Sequence, residues 1–90
     1  MEIKFQVNQE VLSSKIDDEV ILMSIAADSY FGLDSVGSRI WEILSQEAVS
    51  VDGLIAILME EYEVEESECR EDVVHFIENM SSRKLIIEVI

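Results

Sequence analysis

Three side chains stand out as candidates for chemistry by their type and position: the hydroxyl of Ser35, the thiol of Cys69 and the imidazole of His75. Ser35 follows Asp34 directly and precedes an apolar stretch with helical spacing. This position suits a serine that carries a covalent prosthetic group. It equally suits a helix cap, because a side-chain oxygen there accepts an unpaired backbone N–H. The surrounding elements decide between the two.

Cys69 and His75 have no catalytic or metal-binding pattern around them. A single cysteine excludes an internal disulfide, and no second thiol or histidine pair stands at metal-ligand spacing. His75 lacks a nucleophile and an orienting carboxylate at recognisable spacing. No glycine-rich phosphate loop is present. We therefore expect Cys69 to be a core residue, and the chain to be neither an enzyme nor a holder of metals or cofactors.

Length and charge narrow the class of protein. Ninety residues predict a single domain spanning residues 1–90. The net charge is −14, from 20 acidic and 6 basic residues, which opposes binding to nucleic acids and to anionic membranes. No apolar run approaches the roughly 18 residues of a membrane span, and the N-terminus lacks a secretory signal. We expect a cytoplasmic protein.

The first third of the chain alternates apolar and polar residues with a period of two, which is typical of half-buried strands. Alternation begins at Ile3, and polar residues at Asp17-Asp18 and near Ala27-Asp28 interrupt it later. Such short joints predict hairpins, and hence an antiparallel meander over residues 11–16, 19–25 and 28–33. After the first turn one parity carries an apolar set that only Ser29 breaks: Ile21, Met23, Ile25, Ala27, Phe31 and Leu33.

From Asp34 onward the apolar spacing becomes helical. Three helices are predicted, beginning near Asp34, near Ser50 and near Ser67, and residues 85–90 predict a short final strand. Three strands, three helices and a terminal strand predict an α+β domain. This order resembles a winged helix-turn-helix with the meander ahead of the helices.

The Asp34-Ser35 pair resembles the attachment site of carrier proteins, which bear phosphopantetheine on the serine after a first long helix. The residues before Ser35 do not fit such a helix, since helical geometry would scatter their alternating apolar side chains around its circumference. The stretch from Val20 to Ile25 is also rich in strand formers. We predict that Ser35 caps a helix, and the acidic carrier protein remains an alternative.

After three strands, "YFGLDSVGSRIWEILSQ" (residues 30–46) resembles a strand-to-helix junction of the PqqD-like family. These are the leader-recognition domains of ribosomally made, modified peptides. An aromatic strand, a Leu-Asp turn, a hydroxyl-and-glycine helix start and an Ile-Trp pair follow in the family's order. "EDVVHFIENMSSRKLI" (residues 71–86) is similar to the family's third helix. The chain departs from the family in having residues 82–84, Ser-Arg-Lys, where many members have a glycine before the last strand.

The resemblance, which runs from residue 11 to residue 87, implies a non-catalytic protein that binds a leader peptide. It is most similar to the free-standing form used in lasso-peptide biosynthesis. The outer strand of a meander has unpaired main-chain groups, so an extended peptide can add to it as a further strand. The docking strand would be about 28–33, and the third helix, about 68–81, would form the other wall of a groove. The implied peptide-binding residues are Asp28, Ser29, Tyr30, Phe31, Gly32, Leu33, Asp72, His75, Phe76 and Asn79.

The implied partners are the precursor leader peptide, a cysteine-type leader peptidase and an ATP-dependent macrolactam cyclase. The sequence leaves open which flank of the third helix faces the strand, and whether Phe31 and Phe76 belong to the core or to the groove. A winged-helix DNA-binding regulator is the other alternative. Charge opposes it, because the third helix has Arg70 and then no basic residue before Arg83.

Overall fold

The computed structural model describes residues 3–17, 19–24 and 28–89. Asp18 and Ala27, in the predicted turns, and Ile25 and Ile90, at the ends of predicted strands, lie outside the described residues. No helix in the described ranges is long and apolar enough to cross a membrane. The elements in chain order are β1 (Lys4–Val7), β2 (Val11–Ile16), β3 (Glu19–Ser24), β4 (Ser29–Gly32), α1 (Ser35–Gln46), β5 (Val49–Ser50), α2 (Val51–Glu61), α3 (Glu66–Ser82) and β6 (Ile86–Val89).

The strands form two antiparallel sheets of three strands each. The first has the order β2-β3-β4 and is the predicted meander, which confirms the α+β fold. The second has the order β5-β1-β6 and joins the two ends of the chain, with Val7 opposite Ile86. The alternation that begins at Ile3 therefore belongs to a strand outside the meander. The predicted element count omitted it because its partners are distant in sequence.

The hairpin register decides which side of the meander packs on the helices. Leu22 lies opposite Phe31, so the odd-numbered residues of β4 share a face with the even-numbered residues of β3. The single apolar parity predicted across these strands is therefore wrong for β3, where Ile21 and Met23 lie half-buried on the outer face. The buried residues of the inner face are Val20, Leu22 and Leu33.

Two hydrogen-bonded caps determine where the first two helices begin. Asp34 Oδ1 accepts from the backbone N–H of Gly37 at 2.7 Å, and Ser50 Oγ accepts from that of Gly53 at 3.0 Å. Asp34 is thus the N-cap of α1, and Ser35 is the first helical residue. The prediction that Ser35 itself caps the helix is wrong by one residue. The preceding β3 and β4 occupy the place of the long helix that the carrier-protein alternative requires.

At the end of α3, a lysine occupies the position before the last strand where the resemblance led us to expect a glycine. Lys84 has a left-handed backbone with φ 60°. The N–H of Leu85 donates to the carbonyl of Met80, and the N–H of Lys84 donates to that of Ser81. This bonding pattern is a Schellman motif, in which a glycine normally occupies the left-handed position. Lysine takes the same conformation at the cost of Cβ strain.

Candidate functional site

β4 is an outer strand of its sheet, and the direction of its main-chain groups follows from one hydrogen bond. The N–H of Leu33 donates to the carbonyl of Val20 on β3 at 2.9 Å. Main-chain groups of successive strand residues point to opposite sides. Phe31 therefore directs its N–H toward β3, whereas Tyr30 and Gly32 direct theirs to the open side. The side chain of Tyr30 is 72% exposed.

One flank of α3 lies beside this strand. Asp72, Phe76, Asn79 and Arg83 recur at helical spacing along it. The guanidinium of Arg83 lies 4.8 Å from the centroid of the Phe31 ring. The opposite flank faces α2.

On that side, Arg70 Nη1 lies 3.0 Å from Asp52 Oδ1 of α2. Arg83, two turns after Phe76, contacts Phe31 of β4, which favours the flank that carries Phe76 as the one that faces the strand.

The ring of Phe76 packs closely against the start of α1, at Gly37. A Cβ added to Gly37 would lie 3.0 Å from Phe76 Cε2 and 3.1 Å from Asp34 Oδ1. Phe31 and Phe76 are both half-buried and pack against the core. Their contacts with the core agree with the first of the two sequence-based alternatives, and a place in a peptide groove stays a prediction.

The remaining predicted site residues lie at the start of β4 and along α3. Asp28 is exposed in the turn before β4, with φ 51°, and Ser29 is half-buried on the inner face of the sheet. His75 is exposed on α3. Asp72 lies one helical turn before Phe76. The described contacts therefore link Phe31 to Asn79 through Arg83, whereas Asp28 and His75 are exposed.

A small apolar cavity of about 60 Å³ continues from the Asp72 end of this flank. The thiol of Cys69 lies at this cavity, and burial raises its pKa above the usual value, so the group stays protonated at neutral pH. Cys69 is 5% exposed, which confirms its prediction as a core residue. The cavity lies between the three helices and is lined by Val36, Leu58, Tyr62, Val64, Cys69, Asp72 and Val73.

Ser38, which the sequence analysis did not single out, holds the end of the meander to α1. Its buried hydroxyl accepts from the N–H of Val20 at 2.9 Å and donates to the carbonyl of Leu33 at 3.3 Å. The hydroxyl thus takes the place of one rung of the β3–β4 ladder. The signal available in sequence was a serine four residues after the Asp34 cap, on the apolar side of an amphipathic helix.

The other outer strand of the sheet, β2, borders a second and more polar cleft. Its volume is about 310 Å³. An ion pair of 3.0 Å between Lys15 Nζ and Glu42 Oε1 crosses from β2 to α1 at this cleft. The β2 edge therefore has α1 beside it, with Trp41 as the aromatic residue of the cleft, whereas the β4 edge carries Tyr30 and Phe31 on the strand itself. The cleft at β2 is lined by Ser13, Ser14, Lys15, Val20, Trp41, Glu42, Ser45 and Gln46.

The fold and the site define a small α+β domain with an outer strand, β4, at one edge of its meander. Within the described ranges, no three His, Cys, Asp or Glu side chains are grouped so as to hold a metal. The family of coenzyme PQQ synthesis protein D (PqqD) matches residues 19–86, which is most of the chain. This chain belongs to the PqqD family, as its sequence motifs indicated.

Two solved structures are similar to the chain over nearly its whole length. TbiB1, in complex with the TbiA(beta) leader peptide, is 32% identical, with a TM-score of 0.83 and coverage of 90% of this chain and 93% of TbiB1. A lasso peptide synthetase B1 complexed with the leader peptide has a TM-score of 0.79 over 92% of this chain and 96% of its own. Its identity is 19%, so it supports the fold alone. No curated protein matches the chain.

Proposed function

We propose that this protein binds the leader segment of a ribosomally synthesised precursor peptide by strand addition to β4, in the groove between β4 and α3. The observation that carries the proposal is the pair of outward main-chain positions, Tyr30 and Gly32, beside the aromatic flank of α3. Each position offers one donor and one acceptor to an extended chain, whatever its sequence. Gly32 adds no side chain to the edge, so a partner backbone can approach it closely.

Specificity in this proposal comes from side chains rather than from the backbone. Peptide residues that alternate toward the inner face would meet Phe31 and Phe76, whose rings are half accessible. Further peptide-binding residues in the proposal are Asp28, Ser29, Leu33, Asp72, His75 and Asn79. The leader complex of the 32% identical TbiB1 supports a leader peptide as the occupant.

The protein would act in the cytoplasm without catalysing a reaction itself. Bound precursor would be delivered to a cysteine-type leader peptidase and an ATP-dependent macrolactam cyclase of lasso-peptide biosynthesis. Holding the precursor on one such protein raises its effective concentration at the peptidase, which is the physical gain from tethering. The element order also resembles winged helix-turn-helix proteins, many of which bind DNA. The net charge of −14 opposes DNA binding, so this resemblance does not change the proposed function.

The test is a selection that assumes no particular leader. Immobilised protein is offered a displayed library of random 16-residue peptides, together with the TbiA(beta) leader peptide as a fixed probe. We expect enrichment of peptides with apolar residues at alternating positions, and saturable binding of the enriched peptides at micromolar concentration. The control is an unrelated acidic protein of similar charge. If no peptide is enriched over this control and the TbiA(beta) leader peptide does not bind, the proposed function is wrong.

A further inference from the structure

Arg83 reaches β4 from the end of α3, and among the described residues most of its hydrogen-bonding capacity is unused. It is the C-cap residue of α3, and its guanidinium lies over the Phe31 ring, 4.8 Å from the centroid. Nε lies 3.2 Å from Asn79 Oδ1, to which it donates. A guanidinium has five N–H donors in a planar fork. The Phe31 ring and the Asn79 side chain orient this fork. Among the described residues, the four N–H donors on the two Nη atoms have no acceptor.

Of the three arginines, Arg83 is the one that has no carboxylate partner among the described residues, and Lys4 and Lys84 also have none there. Arg39 has a forked pair with Glu61, with Nη2 at 2.6 Å from Oε2, and Arg70 lies 3.0 Å from Asp52. Within residues 3–17, 19–24 and 28–89, no carboxylate lies within ion-pair distance of Arg83. The chain has 20 acidic residues, and the cation that borders the groove is paired with none of those described.

We propose that Arg83 recognises an acidic side chain, Asp or Glu, of the bound peptide. The proposal rests on the proposed function and adds a charged specificity position to it. A carboxylate would approach the two Nη atoms, since Nε is occupied by Asn79. Forked pairing of arginine with a carboxylate is stronger and more directional than a neutral hydrogen bond. The surrounding negative surface makes this position selective, because an acidic peptide residue elsewhere would be repelled.

The position of the acidic residue along the peptide follows from helix and strand geometry. Phe76 and Arg83 are separated by two turns of α3, which is about 10 Å along the axis. A strand rises about 3.3 Å per residue, and its side chains alternate between faces. The acidic residue should therefore lie two or four positions from the apolar residue that contacts Phe76.

The experiment extends the same selection to charge variants. Wild-type protein should enrich Asp or Glu at one position two or four residues from an apolar one. Arg83→Gln should lose this preference, and Arg83→Glu should enrich Lys or Arg at the same position. The matched control is Arg70→Gln, an exposed arginine on the opposite flank, which should leave the preference unchanged. Circular dichroism of each variant checks that the fold is retained.

A direct titration then tests whether Arg83 binds an acidic peptide residue or only packs on the Phe31 ring. With a fluorescein-labelled peptide from the wild-type selection, Arg83→Gln should weaken binding about tenfold, as loss of a charge-assisted contact does. Arg83→Glu should weaken it further, and the same peptide with its acidic residue changed to Lys should restore most of the affinity. If Arg83 variants weaken acidic and neutral peptides equally, or charge reversal gives no rescue, Arg83 does not recognise an acid. If wild-type protein enriches no peptide at all, the proposed function itself fails.

Discussion

Replacing Tyr30 by proline is the sharpest perturbation of the proposed docking edge. The N–H of Tyr30 points away from β3, because the N–H of Leu33, three residues later, donates to Val20. Proline at position 30 removes this outward donor and sets its ring toward the space of an added strand. Edge strands tolerate proline at positions whose N–H faces solvent, so the fold should survive. Proline at Phe31 would be less informative, since it removes a donor directed toward β3.

The expected loss can be worked from the groups affected. A net main-chain hydrogen bond contributes about 1 kcal/mol, and the peptide carbonyl left without a partner adds about 1–2 kcal/mol. Since about 1.4 kcal/mol corresponds to a tenfold change, Tyr30→Pro should weaken peptide binding about 30- to 100-fold. The folding stability should fall far less, because the Tyr30 side chain is 72% exposed and no described ladder bond uses its N–H.

The assay is fluorescence anisotropy of a selected peptide, with thermal unfolding measured in parallel. Tyr30→Thr keeps the N–H and removes the ring, so it measures the side-chain contribution alone. Ser13→Pro removes an outward N–H from β2, the opposite edge of the same sheet, where Leu12 and Ser14 are directed to β3. It should leave binding unchanged.

The outcomes separate the two edges of the sheet. Binding within twofold of wild type for Tyr30→Pro would refute strand addition to β4. A large loss for Ser13→Pro with none for Tyr30→Pro would move the docking edge to β2. Equal losses for Tyr30→Thr and Tyr30→Pro would mean that the ring, and not the main chain, holds the peptide.

Three further predictions concern the scaffold. Ser38→Ala should lower the free energy of unfolding by about 1–3 kcal/mol in a urea titration, because it leaves the N–H of Val20 buried without its acceptor; a loss below about 0.5 kcal/mol would contradict this reasoning. Lys84→Gly should raise the unfolding free energy by about 1 kcal/mol, since glycine adopts φ 60° without strain, and an unchanged or lower value would count against it. The hydrogen bonds from Arg39 hold the pKa of Glu61 below its usual value of 4.5, so the stabilisation by this pair is present above that pH and is lost as the pH falls through the lower folded-state pKa. Glu61→Gln should therefore cost about 0.5–1 kcal/mol at neutral pH and progressively less below about pH 4, and a pH-independent cost would refute the assignment.

The order of elements was predictable because period and caps are local properties. The change from period two to helical spacing falls at Asp34, and the structure places the N-cap of α1 there. The inner face of β3 was not predictable from parity alone. Whether odd residues of one strand meet odd or even residues of the next depends on the register across the turn, and here Leu22 meets Phe31.

Parts of the site depend on contacts between distant elements, and single-sequence patterns do not contain them. Phe31 and Phe76 could be assigned to a strand and a helix, but their accessible sides depend on how α3 crosses the sheet. The stacking of Arg83 on Phe31 joins residues more than fifty positions apart. The charge pattern of α3 marked Arg83 only as a base near the helix end. That no carboxylate of the described residues pairs with it becomes visible only in the structure.

Asp34 and the residues that follow it hold the start of α1 against the meander. Asp34 caps α1 through the N–H of Gly37, and the missing Cβ of Gly37 lets the Phe76 ring approach the cap. One residue later, Ser38 ties the same helix to the last rung of the meander. A Cβ at Gly37 would lie 3.0 Å from Phe76 Cε2, so we expect a larger residue there to shift this ring. In the proposed mode of binding, such a shift would change the peptide affinity without altering the main-chain groups of β4.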